Sequence, residues 1–237
     1  DANRAPDANI KVETFGNENF SGKPVSIAYV RNIASWHPRV WSSGAASHRS
    51  IRWSATYLPQ STGSYLFVVA ATATDAYKLY VGGKVVVQET RHESQAPHSG
   101  ELDLTAGHAV SIRLDYQPGA SDEFIGMGIR AMSDLIPREA MQIAAQADAA
   151  IVSVGFDSTT ESEGFDRSYS LPYGQDALIE AVRAVNKNTI AVLTSGGDVD
   201  THRWIAKLPA FIHNWYPGQE GGTALAEILL GARSPEG

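Results

Sequence analysis

The hydrophobic period of this 237-residue chain changes once, near residue 131, and that change limits the folds open to it. Before it, apolar residues alternate. Ser50-Ile51-Arg52-Trp53-Ser54-Ala55-Thr56-Tyr57-Leu58 alternates apolar and polar positions, the mark of a strand with one wet face. Residues 63–70 follow a turn at Pro59 and Gly63, and 77–81, Gly82-Gly83 and 84–87 read as a hairpin. An extended segment at Val12 and Thr14-Phe15, and strands at 98–104, 109–116 and 124–130, complete the set. Short strands at this spacing predict an all-β domain over 11–131, a sandwich or a barrel.

After residue 131 helices alternate with continuous apolar strands. Residues 137–147 form a helix with Pro137 in its first turn, where the missing N–H is harmless. Strand 149–156 follows, then helix 174–185 with Ala177, Leu178, Ala181, Val182 and Val185 on one face. Strands at 189–194 and 210–215 and a helix at 220–230 complete the series. That order predicts a mainly parallel sheet between helical layers. The expected fold class is therefore α+β multidomain: the β domain, then an incomplete three-layer α/β sandwich over 134–237, joined near Ala131-Met132-Ser133-Asp134. Three strands leave exposed edges and half-covered faces, so further strands are expected elsewhere in a longer polypeptide or on a partner.

Composition narrows the function. Apolar content of 43% and charged content of 19% suit a soluble globular protein. The net charge is −7 without a basic block, which argues against nucleic acid as a partner. No run approaches the roughly 18 apolar residues of a membrane span, so no membrane is expected either. The absence of cysteine removes disulfides and thiol chemistry. Neither a signal peptide nor an initiator methionine is visible, which suggests a mature form or a fragment. A periplasmic, secreted or cytoplasmic location stays open.

The stretch Thr160-Glu161-Ser162-Glu163-Gly164-Phe165-Asp166-Arg167 opens just beyond strand 149–156. Open α/β sheets place ligands at that edge. Four ionisable groups within eight residues are poor core material and read as chemistry, or else as a solvated loop. Gly174 and Gly196-Gly197 lack the spacing of a phosphate cradle, so no nucleotide is expected. His202 and His213, the two histidines that would pair with Glu161 around a metal, lack ligand spacing. No cofactor and no metal are expected.

Several ordered motifs carry a family resemblance: Ser162-Glu163-Gly164-Phe165-Asp166-Arg167, Leu171-Pro172-Tyr173-Gly174-Gln175-Asp176, Asn188-Thr189, Ser195-Gly196-Gly197, and Trp215-Tyr216-Pro217-Gly218-Gln219-Glu220-Gly221-Gly222. With them, residues 134–237 resemble part of the (α/β)6-sandwich domain of family 3 glycoside hydrolases, the β-glucosidases and β-xylosidases. Residues 11–131 are similar to the PA14 domain, which some members carry as an insertion. That likeness rests on Ile51-Arg52-Trp53, Gly63-Ser64-Tyr65, Lys78-Leu79-Tyr80-Val81 and Ile112-Arg113-Leu114-Asp115-Tyr116.

The resemblance implies a retaining, exo-acting β-glycosidase working on short β-linked oligosaccharides or glycosides. Such hydrolysis needs two carboxyl groups about 5–5.5 Å apart. Glu163 matches the family's acid/base position, and Gly164 beside it would let the backbone approach a sugar. The family's nucleophilic aspartate lies in a barrel whose motif is missing here. A barrel-containing fragment is therefore an expected partner, self-association is the alternative, and the chain alone is expected to be inactive.

Other residues keep two readings. Glu161 raises the pKa of Glu163 or contacts a sugar hydroxyl, or is a plain surface carboxylate. Asp166 and Arg167 hold the loop or touch substrate, and Asp157 caps a turn. Trp215 and Tyr216 stack on a pyranose or pack as a wedge. Glu220 offsets the free N–H groups of a helix start. Thr74-Asp75 stands where many PA14 members have two calcium-binding aspartates, so calcium-dependent sugar binding is not expected. Trp36, His37, Trp41 and His92 lie in loop-like stretches and would line an entrance, core packing being the default for the tryptophans. The rival to an enzyme is a carbohydrate-binding module on a non-catalytic scaffold, with a structural spacer behind it. Burial of Glu163 beside an open cleft would mark the enzyme, and a solvent-washed loop would mark the rivals.

Overall fold

A computed structural model describes residues 9–37, 49–72, 74–90, 97–119, 123–158, 160–163 and 167–235. The chain divides into two compact units, Asp1–Leu135 with Glu163–Arg167, and Ile136–Ser162 with Ser168–Gly237.

The first unit is built on β1 (Ile10–Phe15), β2 (Ser26–Val30), β3 (Ala34–His37), β4 (Ser50–Tyr57), β5 (Gly63–Ala71), β6 (Ala76–Val81), β7 (Lys84–Glu89), β8 (His98–Leu104), β9 (Val110–Gln117) and β10 (Glu123–Ala131). All pairings in it are antiparallel. They give a six-stranded sheet in the order β2-β1-β4-β9-β6-β7 and a four-stranded sheet β3-β10-β5-β8. Alternate residues explain why the two sheets share a core. Ile51 and Trp53, Leu79 and Val81, and Leu114 and Tyr116 from the larger sheet meet Tyr65, Phe67, Val69 and Ile125 from the smaller. Gly82 and Gly83 both take left-handed φ, 57° and 81°, as the two-residue hairpin between β6 and β7 requires.

Arg52 and Asp75 of this unit are both held by partners. Arg52 donates to both oxygens of Asp115, at 2.6 and 2.9 Å, and its guanidinium lies over the Phe20 ring. Asp75, 1% exposed, accepts from the N–H of Thr72 (3.0 Å), the N–H of Gly119 (2.7 Å) and the hydroxyl of Tyr116 (2.7 Å).

β2 and β3 differ from the sequence reading. Trp36 and His37 stand in a strand and not in a loop, with Trp36 opposite Phe124 and His37 opposite Glu123. β2 and β3 are edge strands, and Ser26–Ala28 of β2 are exposed, so little apolar alternation marks it. Trp41 and His92 lie outside the described residues. Among the described residues, no helix falls between 51 and 116.

The second unit runs α1 (Arg138–Gln146), β11 (Ala150–Gly155), α2 (Gln175–Val185), β12 (Thr189–Thr194), β13 (Ala210–His213) and α3 (Gly221–Leu229). Its strands form a parallel sheet in the order β11-β12-β13. Val152, Val154, Ala191 and Leu193 pack with Ala144 of α1, Ile179 and Val182 of α2, and Trp204. Asn186, just past α2, donates to the carbonyls of Ala144 and Ala147, both at 2.8 Å, and so ties down the end of α1. Ile151, on the other side of the β11 pleat, is 57% exposed. The third strand stops at His213, two residues before the predicted end, because Trp215 adopts a positive φ of 51° and turns the chain.

Candidate functional site

Parallel strands deliver their C-terminal ends to one edge, and here each of the three releases a loop there. The exit from β11 is tightly fitted. Gly155 has φ 150°, and a Cβ on it would come within 2.0 Å of the Thr194 carbonyl oxygen, so only glycine fits. The Gln175 side chain accepts from the Gly155 N–H (2.7 Å) and donates to its carbonyl (2.9 Å), pinning the start of α2 to this point.

A closed turn follows. The Thr160 hydroxyl accepts from the N–H of Asp157 at 2.9 Å and lies 3.0 Å from the Asp157 carboxylate. The N–H groups of Thr160 and Glu161 both donate to the Asp157 carbonyl, at 3.0 and 2.8 Å. Asp157 thus caps this turn, as its place after the strand implied.

Glu161 comes next, and its carboxylate reaches across the sheet edge. It accepts from the N–H of Gly196, at 3.2 and 3.1 Å to its two oxygens, and from the hydroxyl of Tyr216. Gly196 lies just past β12 and Tyr216 just past β13. One carboxylate therefore ties together the loops of all three strands. A Cβ at Gly196 would sit 3.0 Å from Glu161 Oε1 and 3.1 Å from the Tyr216 ring.

Ser162 and Glu163 are exposed on the turn that follows. Asp166 lies outside the described residues, and Arg167 is half-buried. Trp215 and Tyr216 are 55% and 53% exposed. The Trp215 ring stacks on His213, 4.2 Å between centroids at 20°. His213 is itself held by Ser195, with Nε2 3.0 Å from the hydroxyl and 3.2 Å from the carbonyl. Trp215 is thus an exposed aromatic plate with a fixed backing. Of Trp36, only the strand position is described.

Neither His202 nor His213 meets Glu161. His202 Nδ1 lies 2.5 Å from Asp200 and holds that carboxyl below its ordinary range. Among the described residues, no three His, Asp or Glu side chains gather as metal ligands would. Asp176 accepts from the Trp204 indole N–H at 2.5 Å, and burial pushes its carboxyl up. Glu220 holds the N-cap position of α3, yet its side chain makes no hydrogen bond to the helix N–H groups. Its carboxylate faces the Thr223 hydroxyl at 3.4 Å. The expected capping interaction is not made, since glutamate's longer side chain is not among the good caps.

The Gly196 N–H, the Tyr216 hydroxyl and the His213 backing were not singled out from sequence. One signal would have found the first. Ser195-Gly196-Gly197 follows β12 as the acidic loop follows β11, and neighbouring parallel strands bring such loops together.

Residues 43–237, taking in β4 through α3, match the glycosyl hydrolase family 3 C-terminal domain. The chain belongs to glycosyl hydrolase family 3. This family 3 chain is 30% identical over 246 residues to a beta-glucosidase of Rhizobium radiobacter, covering 96% of the chain and 30% of that protein. It is 32% identical over 213 residues to Beta-glucosidase B of Emericella nidulans, covering 79% of the chain and 25% of that protein. A crystal structure of a beta-glucosidase from Kluyveromyces marxianus in complex with glucose shares the fold. The TM-score is 0.50 at 21% identity, over 98% of this chain and 30% of that one. The chain thus spans at most about a third of the length of these relatives. Among the described residues, no helix is long and apolar enough to cross a membrane.

Proposed function

We propose that this chain is part of a retaining, exo-acting β-glycosidase of the β-glucosidase type, releasing terminal β-linked sugars from short oligosaccharides or glycosides. One observation carries the reading: in a family 3 chain, Glu163 stands on the loop leaving the C-terminal end of β11. In this reading Glu163 protonates the leaving oxygen. A carboxylate from a barrel outside this chain attacks the anomeric carbon and forms a covalent glycosyl intermediate. Glu163 then takes a proton from the water that releases the sugar. In this reading residues 134–237 form part of an (α/β)6 sandwich, and 11–131 a PA14-like module. Trp215 offers its exposed face to a pyranose ring.

The test is Glu163→Gln in the full-length enzyme. It keeps the shape and removes the transferable proton. Turnover of a glycoside with a poor leaving group should fall on the order of 10²–10⁴-fold. A dinitrophenyl glycoside, whose leaving group needs little protonation, should lose far less in its glycosylation step. Equal turnover of both substrates by wild type and variant would remove Glu163 from this role. The 237-residue chain, purified alone, should not hydrolyse aryl β-glucosides or β-xylosides. Turnover like that of an intact glycosidase would place the nucleophile in this sequence.

A second reading, a carbohydrate-binding module on a non-catalytic scaffold, is favoured by the exposure of Glu163 on its turn. It predicts sugar binding by the isolated chain and no effect of Glu163→Gln on any turnover of the parent protein.

A further inference from the structure

Glu161 sits two residues before Glu163, and nearly everything about it describes an anchor. Its N–H is fixed to the Asp157 carbonyl at 2.8 Å, inside the turn closed by Thr160. Both of its carboxylate oxygens accept from Gly196, and one of them also accepts from Tyr216. The residue is thus held at its backbone by its own loop and at its side chain by the two neighbouring loops. At Gly196 a Cβ would crowd both Glu161 and Tyr216, so the three groups close on each other.

The consequence lies in the chain that follows. From Glu161 to Glu163 the backbone can extend at most about 7 Å. Glu163 itself is exposed. An exposed acid on a turn reaches a reacting oxygen only as reliably as its loop is placed, and a misplacement of about 1 Å costs on the order of 10²-fold in rate.

We propose that Glu161 is a positioning residue: with Gly196 and Tyr216 it clamps the acid loop to the ends of β12 and β13, so that Glu163 meets the leaving oxygen at a fixed distance. The proposal rests on the reading of Glu163 as the acid/base. Glu161 neither touches the sugar nor transfers the proton.

The experiment uses the full-length enzyme and two β-glucosides, one with a methyl and one with a dinitrophenyl leaving group. Wild type, Glu161→Ala, Glu161→Gln, Tyr216→Phe and Glu163→Gln are compared by kcat and KM. Glu161→Ala should lose roughly 10–100-fold in kcat and kcat/KM on the methyl glucoside, with KM little changed, while kcat/KM on the dinitrophenyl substrate, which reports its glycosylation step, is largely spared. Glu161→Gln should be close to wild type, because its amide oxygen still accepts from Gly196 and Tyr216. Tyr216→Phe should show the same substrate selectivity with a smaller loss, and it carries the test if Glu161→Ala does not fold.

Three results would overturn the proposal. Equal losses of kcat/KM on both substrates would mark Glu161 as merely structural. A raised KM with kcat unchanged would make it a sugar contact. Glu161→Gln as damaged on the methyl glucoside as Glu163→Gln would make Glu161 the proton donor itself. Glu163→Gln separates the two levels of the argument. If that variant shows no dependence on the leaving group, the acid assignment fails and this proposal falls with it. If it does while Glu161→Ala and Tyr216→Phe do not, the clamp alone is wrong.

Discussion

The two units of this chain each contain a carboxylate that accepts from a backbone N–H and a tyrosine hydroxyl, and the surroundings could hardly differ more. Asp75 is 1% exposed and its partner Tyr116 is fully buried. Glu161 is half-buried and its partner Tyr216 is 53% exposed. An unmet buried donor costs about 1–3 kcal/mol, whereas water satisfies an exposed one. The same arrangement therefore holds a fold together in the β unit and holds a loop in place in the α/β unit.

The largest expected effect on stability tests the first half of that contrast. Asp75→Ala removes the carboxylate that accepts from the Gly119 N–H, the Tyr116 hydroxyl and the Thr72 N–H, the last of which also donates to the Phe124 carbonyl at 3.1 Å. It should lower stability by on the order of 3–5 kcal/mol, read from the urea midpoint. Turnover per folded molecule of the parent enzyme should not change. Glu161→Ala should do the reverse, with under about 1 kcal/mol of stability lost. Similar losses at both positions would break the comparison.

A finer test removes one hydroxyl from each clamp. Tyr116→Phe should cost about 1–2 kcal/mol and Tyr216→Phe under about 0.5 kcal/mol, both by chemical denaturation. A smaller loss at Tyr116 than at Tyr216 would reverse the assignment of which clamp supports the fold.

Asp176 lies between the two extremes. Burial raises its carboxyl, against the opposing hydrogen bond from Trp204. A carboxyl raised in the fold binds its proton more tightly folded than unfolded. Stability should therefore decline as pH rises from the ordinary carboxylate range through the folded value, and then level off. Asp176→Asn keeps an acceptor for Trp204 and should remove that decline, a change of under about 1 kcal/mol once solvent screening is counted. Melting temperatures of both proteins across roughly pH 3 to 7 provide the check. Parallel curves would show that Asp176 titrates alike in both states.

Much of the fold could be read from the sequence because its core strands alternate or run continuously apolar. The segments around Trp53, Phe67 and Leu79 and the strand 189–194 all lie where their periods place them. β2 and β3 were not legible, since edge strands with exposed residues carry weak burial patterns. The family resemblance set Glu163 apart as the acid/base, whereas Glu161 stayed open between a pKa partner, a sugar contact and a surface carboxylate. The partners of Glu161 lie 35 and 55 positions away, Gly196 and Tyr216, which only the parallel register brings near. Glu220 misled because a helix start was visible but the side-chain geometry there was not.

The Gln175 side chain has a consequence for how the sheet can grow. β11 is an edge of its sheet among the described residues. Its neighbour-facing groups alternate: Ala150 and Phe156 donate toward β12, which turns Ile151, Ser153 and Gly155 outward. Gln175 meets both the N–H and the carbonyl of Gly155, as the peptide of a neighbouring strand would. It works as a doorstop. Among the described residues the rungs at Ile151 and Ser153 are open, so a strand laid against this edge would halt one rung short of the bend. Sheet growth on that side therefore ends before it can pull the Glu161–Glu163 loop into a ladder.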